Sequence, residues 1–181
     1  MATVTKKELT KRAQKIKVLL LDVDGVLTDG LVHILQDGNE FYTFNVYDGY
    51  GIKVWQRAGF KTGFITGRNA VPVRERAHAL GVEYLFQNAG DKLSLAEEVA
   101  RKEAISFDEI AFMGDDIQDL PLLKKAGLAI TVPNAQNEVI KEAHYITKRA
   151  GGDGAVRQAV KVLMKAKGLW RDVVADERIL S

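Results

Sequence analysis

The chain has 181 residues, 46% of them hydrophobic and 28% charged, enough apolar material for a folded domain and incompatible with wholesale disorder. The 26 Lys and Arg against 24 Asp and Glu leave a net charge of +2, too balanced for a chain devoted to nucleic acid or anionic lipid. The absence of cysteine excludes disulfides, thiolate metal sites and cysteine nucleophiles and fits the cytoplasm, and no apolar run reaches the ~18 residues of a membrane span.

Residues 1–17 carry six basic side chains and one acidic, without the apolar centre or cleavage site of a signal peptide. Thr5 followed by Glu8 reads as a capping box, and Leu9, Ala13 and Ile16 share one face of a short helix. No aromatic residue interleaves with these charges, so a solvated basic helix is predicted rather than a nucleic-acid arm. The first apolar run, Val18 to Val23, lacks the alternation of a half-exposed strand and predicts a strand buried on both faces. Residues 31–46 interrupt the pattern as two strands around Gln36-Asp37-Gly38-Asn39, with Phe41, Tyr42 and Phe44 in the second. A helix is expected after Gly51.

Further apolar runs follow at Phe60 to Thr66, Val82 to Phe86, Ile110 to Gly114 and Leu128 to Val132. Between them, Asn69 starts a helix through Val73, Ala77 and Leu80 that Gly81 ends. Asp91 caps a helix carrying Leu95, Ala96, Val99 and Ala100, and Asp119 with Pro121 opens one carrying Leu122 and Leu123. A flexible glycine loop is predicted at 150–154, then a helix through Ala155, Ala159, Val160 and Leu163 and a polar tail with Trp170. The alternation predicts an α/β fold: a doubly wound, Rossmann-like parallel sheet with helices on both faces and an inserted β-hairpin. No linker or repeat divides residues 1–181, so a single domain is expected.

The chemistry-bearing residues gather at the ends of these strands, where open α/β sheets bind ligands. Asp22 and Asp24 close the first strand, and two unit charges ~4 Å apart repel by ~4 kcal/mol at an effective dielectric of ~20. Met113-Gly114-Asp115-Asp116 closes the fourth, so Asp115 faces Asp22 if the two strands are neighbours, and converging carboxylates suit a hard cation of the Mg2+ type. Asp116 reads as a loop acid or a supporting one, and Asp119 reads first as a helix cap. Thr66-Gly67-Arg68 offers a hydroxyl and backbone N–H groups to an anion. Lys92 sits in the first turn of a helix, where a cation opposes the dipole, which hints at another purpose. A carboxylate nucleophile, a second carboxylate, a metal acid, a hydroxyl and a lysine together fit phosphoryl transfer. His33, His78 and His144 have no partner spacing and read as structural or exposed. A phospho-receiver module would use similar residues, but its phosphorylated Asp ends the third strand, and here that strand runs into Gln87-Asn88.

With Asp22-Val23-Asp24-Gly25-Val26-Leu27-Thr28, Thr66, Lys92 and Gly114-Asp115-Asp116 in this order, the chain resembles the haloacid dehalogenase superfamily of phosphatases over most of its length. Phe44 to Ile52, Ile65 to Arg68 and Gly151 to Arg157 resemble more narrowly the branch that acts on sugar-acid phosphates, an octulosonate 8-phosphate of lipopolysaccharide synthesis or an acylneuraminate 9-phosphate. The resemblance implies that Asp22 attacks phosphorus and that Asp24 serves as acid and base. It implies Mg2+ on Asp22, the Asp24 carbonyl and Asp115, and phosphoryl contacts from Thr66 and Lys92. The sugar acid would meet Asp24, Asn45, Asp48, Gly49, Lys53, Arg68, Arg76 and Lys92, Arg being able to grip a carboxylate bidentately. The hairpin and the helix after it fill the interval from Asp24 to Thr66, and a helix, a strand and a helix fill that from Thr66 to Asp115. No cap domain is therefore expected. Exposed hairpin edges and the need to wall off water predict a homo-oligomer, a homotetramer by resemblance, with the glycine loop and the Trp170 tail as candidate lids over a neighbour's site.

Overall fold

The computed structural model describes residues 4–175. In chain order they form α1 (Lys6–Lys15), β1 (Val18–Leu21), β2 (His33–Ile34), β3 (Glu40–Phe41), α2 (Val46–Arg57), β4 (Lys61–Ile65), α3 (Val71–Leu80), β5 (Tyr84–Phe86), α4 (Lys92–Glu103), β6 (Ile110–Met113), α5 (Leu120–Lys125), β7 (Leu128–Thr131), α6 (Asn137–Glu142), β8 (Tyr145–Ile146), α7 (Ala155–Ala166) and α8 (Trp170–Ala175). Single 3-10 turns at Phe107–Glu109 and Ile117–Asp119 precede β6 and α5. No helix among the described residues is long and apolar enough to cross a membrane.

Six parallel strands stand in the order β5-β4-β1-β6-β7-β8, and β2 and β3 form the separate hairpin. The chain winds outward from β1 to β5, then returns to lay β6 against the other side of β1. The carboxyl ends of β1 and β6 thus meet where the winding reverses, the point at which such sheets open a crevice. The apolar runs lack polar alternation because both faces are covered. Leu19, Leu21, Ala111 and Met113 pack towards α1, α2, α3 and α7, while Val18, Leu20, Ile110 and Phe112 pack towards α4, α5 and α6.

Several local expectations are corrected. The sheet has a sixth strand, β8, a two-residue half-exposed edge with no apolar run to announce it. The hairpin strands are two residues long, and α2 begins at Val46 rather than after Gly51 because the Asn45 side chain accepts the Tyr47 N–H at 2.8 Å. Helix α3 starts at Val71 rather than Asn69, Ala70 standing as its cap and giving its N–H to Gln87 Oε1. Glu8 completes only half of its box: Thr5 accepts the Glu8 N–H, while the Glu8 carboxylate pairs with Arg12.

The glycine loop is not free. The Gly152 N–H donates to the Val26 carbonyl at 3.1 Å, and Gly151 is buried so tightly that a Cβ would stand 1.8 Å from the Gly25 carbonyl oxygen. From the other side, Asn45 Nδ2 donates to the Gly152 carbonyl, and the buried Asp48 carboxylate accepts N–H groups from Gly154 (3.3 Å) and Arg157 (2.7 Å). The loop is therefore pinned between residues 25–28 and the starts of α2 and α7 of its own chain. Trp170 likewise lies on its own chain, with the Arg157 guanidinium 4.9 Å from its ring, and the last six residues of the expected tail lie outside the described ones. Gly151→Ala meets backbone atoms that cannot step aside, and is expected to cost about 1–3 kcal/mol in urea denaturation.

Candidate active site

Asp22 continues β1, its N–H donating to the Met113 carbonyl of β6 at 2.9 Å. Asp91 caps α4 by accepting the Leu93 and Ser94 N–H groups, which makes Lys92 the first helical residue. Lys92 Nζ lies 2.8 Å from Asp22 Oδ1 and 2.6 Å from Asp119 Oδ1, and the three side chains are at most 3% exposed. Two carboxylates thus answer both the burial of this cation and its unfavourable place at a helix N-terminus. Asp119 stands at the start of α5 but does not cap it, against expectation. Its Oδ2 accepts the N–H groups of Asp115 and Asp116, at 2.9 and 3.1 Å, and so folds the 115–119 turn back on itself. Asp116 itself accepts the Ile117 N–H and caps the 3-10 turn. Gly25, at φ +87°, brings the loop after β1 against Asp115, where a Cβ would be 2.1 Å from Oδ2.

Asp22, Asp115 and Asp119 bring carboxylate oxygens within 4.8 Å of one another. Burial first, and then the charge of Asp119, hold Asp22 far above the ordinary carboxylate range, although Lys92 and the Val23 N–H oppose the shift. Burial and the Asp119 and Asp116 charges push Asp115 up to about 7. Burial works to lower Lys92, but Asp22 and Asp119 outweigh it and hold its ammonium above the usual value. Oδ1 of Asp115 is buried without a hydrogen-bond partner. A surplus of carboxylate charge with an unsatisfied oxygen fits a hard divalent cation, which takes oxygen ligands. Both Asp119 oxygens are already engaged, so Asp22 and Asp115 are the side chains with capacity to spare.

Beside this cluster, Thr66 follows β4 and donates from Oγ1 to Asp24 Oδ2 at 3.1 Å, while accepting the Arg68 N–H. The Asp24 side chain therefore points to Thr66 rather than into the Asp22 group. The Arg68 side chain meets the hairpin: Nη2 pairs with Glu40 Oε1, Nε donates to Tyr42 Oη at 3.1 Å, and Tyr42 Oη donates to Glu40 Oε2 at 3.3 Å. Arg76 reaches from α3 to donate to the Asn45 carbonyl at 3.2 Å, its guanidinium 5.7 Å from the Phe44 ring centre. Gly49 makes room for it, since a Cβ there would be 2.3 Å from Arg76 Nη2. Lys53 lies on the exposed face of α2, and the Asp48 carboxylate is taken by the start of α7. His144 Nδ1 accepts the Ala129 N–H, a structural use, and His33 packs tilted against the Phe41 ring. Glu40 and Tyr42 are polar partners at this site that the sequence does not single out, while Asp119, expected as a helix cap, serves Lys92 and the 115–119 turn instead.

Residues 85–159 match the family model of haloacid dehalogenase-like hydrolases. The 3-deoxy-D-manno-octulosonate 8-phosphate phosphatase KdsC of Escherichia coli K12 is 40% identical over 161 residues, 89% of this chain and 86% of that protein. Among solved structures, the 3-deoxy-D-manno-octulosonate 8-phosphate phosphatase of Moraxella catarrhalis, in complex with magnesium, phosphate and KDO, superposes with a TM-score of 0.93 at 34% identity, covering 94% of this chain and 98% of that one. A probable YrbI family phosphatase from Pseudomonas syringae gives 0.92 at 38% identity, covering 94% and 97%.

The raised carboxylates set the sign of a pH effect. Asp22 and Asp115 hold protons more tightly folded than unfolded, so their contribution to stability falls as pH climbs from about 4 through the raised values. The cation-free protein is expected to lose about 3 °C or more of melting temperature between pH 5 and pH 8. Added Mg2+ should restore more at pH 8 than at pH 5, because it competes with those protons. Thermal scans with and without a chelator read both effects.

Proposed function

The chain belongs to the haloacid dehalogenase-like hydrolases, in the family of the 3-deoxy-D-manno-octulosonate 8-phosphate (KDO 8-phosphate) phosphatases, and from that membership we propose that it is a Mg2+-dependent phosphatase hydrolysing KDO 8-phosphate to KDO and phosphate in lipopolysaccharide biosynthesis. The observation that carries the reading is the buried Asp22–Lys92–Asp119 group at the reversal of the sheet, with Asp115 and the Asp24–Thr66 pair beside it. Residues 1–181 act as one hydrolase domain, in the cytoplasm.

Lys92 Nζ and the Val23 N–H both engage Oδ1 of Asp22, which leaves Oδ2 as the nucleophile. Oδ2 attacks phosphorus, the bond from phosphorus to the sugar oxygen breaks, and Asp24 gives that oxygen its proton. Asp24 then takes a proton from the water that attacks the aspartyl phosphate, releasing phosphate and restoring Asp22. Thr66 and Lys92 hold phosphoryl oxygens through both steps. Asp22, the Asp24 carbonyl and Asp115 would hold Mg2+, which supplies charge neutralisation at the phosphoryl group. The sugar acid lies across Asn45, Gly49, Arg68 and Arg76, with Lys53 on the α2 side and Asp48 anchoring that side to the start of α7.

The assembly is a homotetramer with sites shared between protomers. Leu31, Ile34, Leu35 and Phe41 expose apolar area on a hairpin whose edges no strand among the described residues covers, while Val46 and Tyr47 extend the patch onto α2.

Asp22→Asn should lower kcat by at least about 10³-fold with the fold intact by circular dichroism, and substantial turnover in that variant overturns the nucleophile assignment. Comparing kcat/KM across a panel of sugar-acid phosphates tests the substrate, KDO 8-phosphate being expected to lead. Sedimentation at micromolar concentration tests the assembly: a 20.0 kDa monomer with full activity overturns the shared site.

A further inference from the structure

Arg68 is held by the hairpin rather than by its own strand–helix unit. In residues 40–44 the side chains alternate: Glu40, Tyr42 and Phe44 are half-buried, while Phe41 and Thr43 are exposed. Phe44 lies near Arg76, and Glu40 and Tyr42 form a closed ring of hydrogen bonds with Arg68. The Arg68 and Tyr42 side chains both lie within the electrostatic reach of Asp24. The backbone of Arg68 is fixed as well, its N–H on Thr66 Oγ1 and its carbonyl accepting the Asn88 N–H.

A guanidinium has a side-on edge, made by Nε and one terminal nitrogen, and an end-on edge made by both terminal nitrogens. Glu40 and Tyr42 fill the side-on edge of Arg68. What remains is the end-on edge, a fork that matches a carboxylate bidentately. The long Arg side chain would otherwise lose rotamer freedom on gripping a ligand. Here that freedom is surrendered to the hairpin before the ligand arrives, which is how preorganisation raises affinity.

We propose that Glu40, with Tyr42, is a specificity-determining positioning residue: it presets the Arg68 fork for the carboxylate of the sugar-acid phosphate. The inference rests on the substrate class of the proposed function and deepens it. It divides the labour, the sheet ends acting on the phosphate and the hairpin selecting the acid. A phosphate monoester without a carboxylate draws nothing from the fork, so the role appears as a ratio rather than as a rate.

The test measures that ratio, kcat/KM for KDO 8-phosphate over kcat/KM for p-nitrophenyl phosphate. In the native enzyme the ratio should favour the sugar acid. In Glu40→Gln, which keeps the size and removes the charge, it should fall about tenfold through KM, with kcat on the sugar acid within about threefold. Tyr42→Phe should lower it less, and Glu40→Gln added to Arg68→Ala should lower it no further than Arg68→Ala alone, since residues acting through one group are not additive. An undiminished ratio in Glu40→Gln overturns the proposal, and so does an equal loss on both substrates, which marks a merely structural hairpin residue. A higher ratio does so too, because Glu40 would then be withholding Arg68 from the substrate. A native enzyme that turns over p-nitrophenyl phosphate with no preference for carboxylate-bearing substrates overturns this proposal and the substrate reading together. That result is distinguishable because it appears before any variant is made.

Discussion

A lysine ammonium with almost no contact with water can exist in this fold only because two carboxylates close on it, and much of the site's geometry follows from that requirement. Removing one partner of such a buried group typically costs ~3–5 kcal/mol. The end of β1, the first residue of α4 and the turn before α5 must therefore arrive together, or none of the three side chains can be buried. Asp119 extends the constraint by gathering two further N–H groups, which fixes where Asp115 starts. The same arrangement leaves more negative charge than one lysine can balance, and that remainder is the binding energy offered to a cation.

The parts of the fold dictated by local physics were legible in the sequence. A run such as Val18 to Val23 can be buried on both faces only in a covered parallel sheet, and Asp91 before a helical period has few other uses than as a cap. Lys92 was legible as an anomaly, a cation in the wrong turn of a helix. Asp119 was misread for a physical reason. An Asp two residues before Pro looks like a cap, and only the folded chain shows its partners to be a lysine 27 positions away and two N–H groups upstream. β8 escaped because two half-buried residues at a sheet edge carry no pattern. Glu40 escaped because its partner, Arg68, is 28 positions on and belongs to a different element.

The architecture separates two tasks. In the proposed reaction the ends of β1, β4 and β6 and the start of α4 would handle the phosphate, and they are set by the rigid sheet. The hairpin and the first turn of α2 supply Glu40, Tyr42, Phe44, Asn45 and Gly49, which surround the two arginines. A two-stranded ribbon is marginally stable alone, so these residues owe their positions partly to the guanidinium groups they hold. Selectivity can consequently change through the insertion while the strand ends stay fixed.

The clamp on residues 25–28 has a consequence for synthesis. Asn45 reaches its partner across 107 positions, and Asp48 reaches its two across 106 and 109. A chain emerging from the ribosome exposes β1 early, and most of the sheet can assemble while the remainder is still being translated. The loop that seals residues 25–28 comes after β8, and the helix that anchors it comes later still. A nascent polypeptide therefore carries Asp22 beside an unsealed loop, and the centre matures only once residues 151–157 have cleared the exit tunnel.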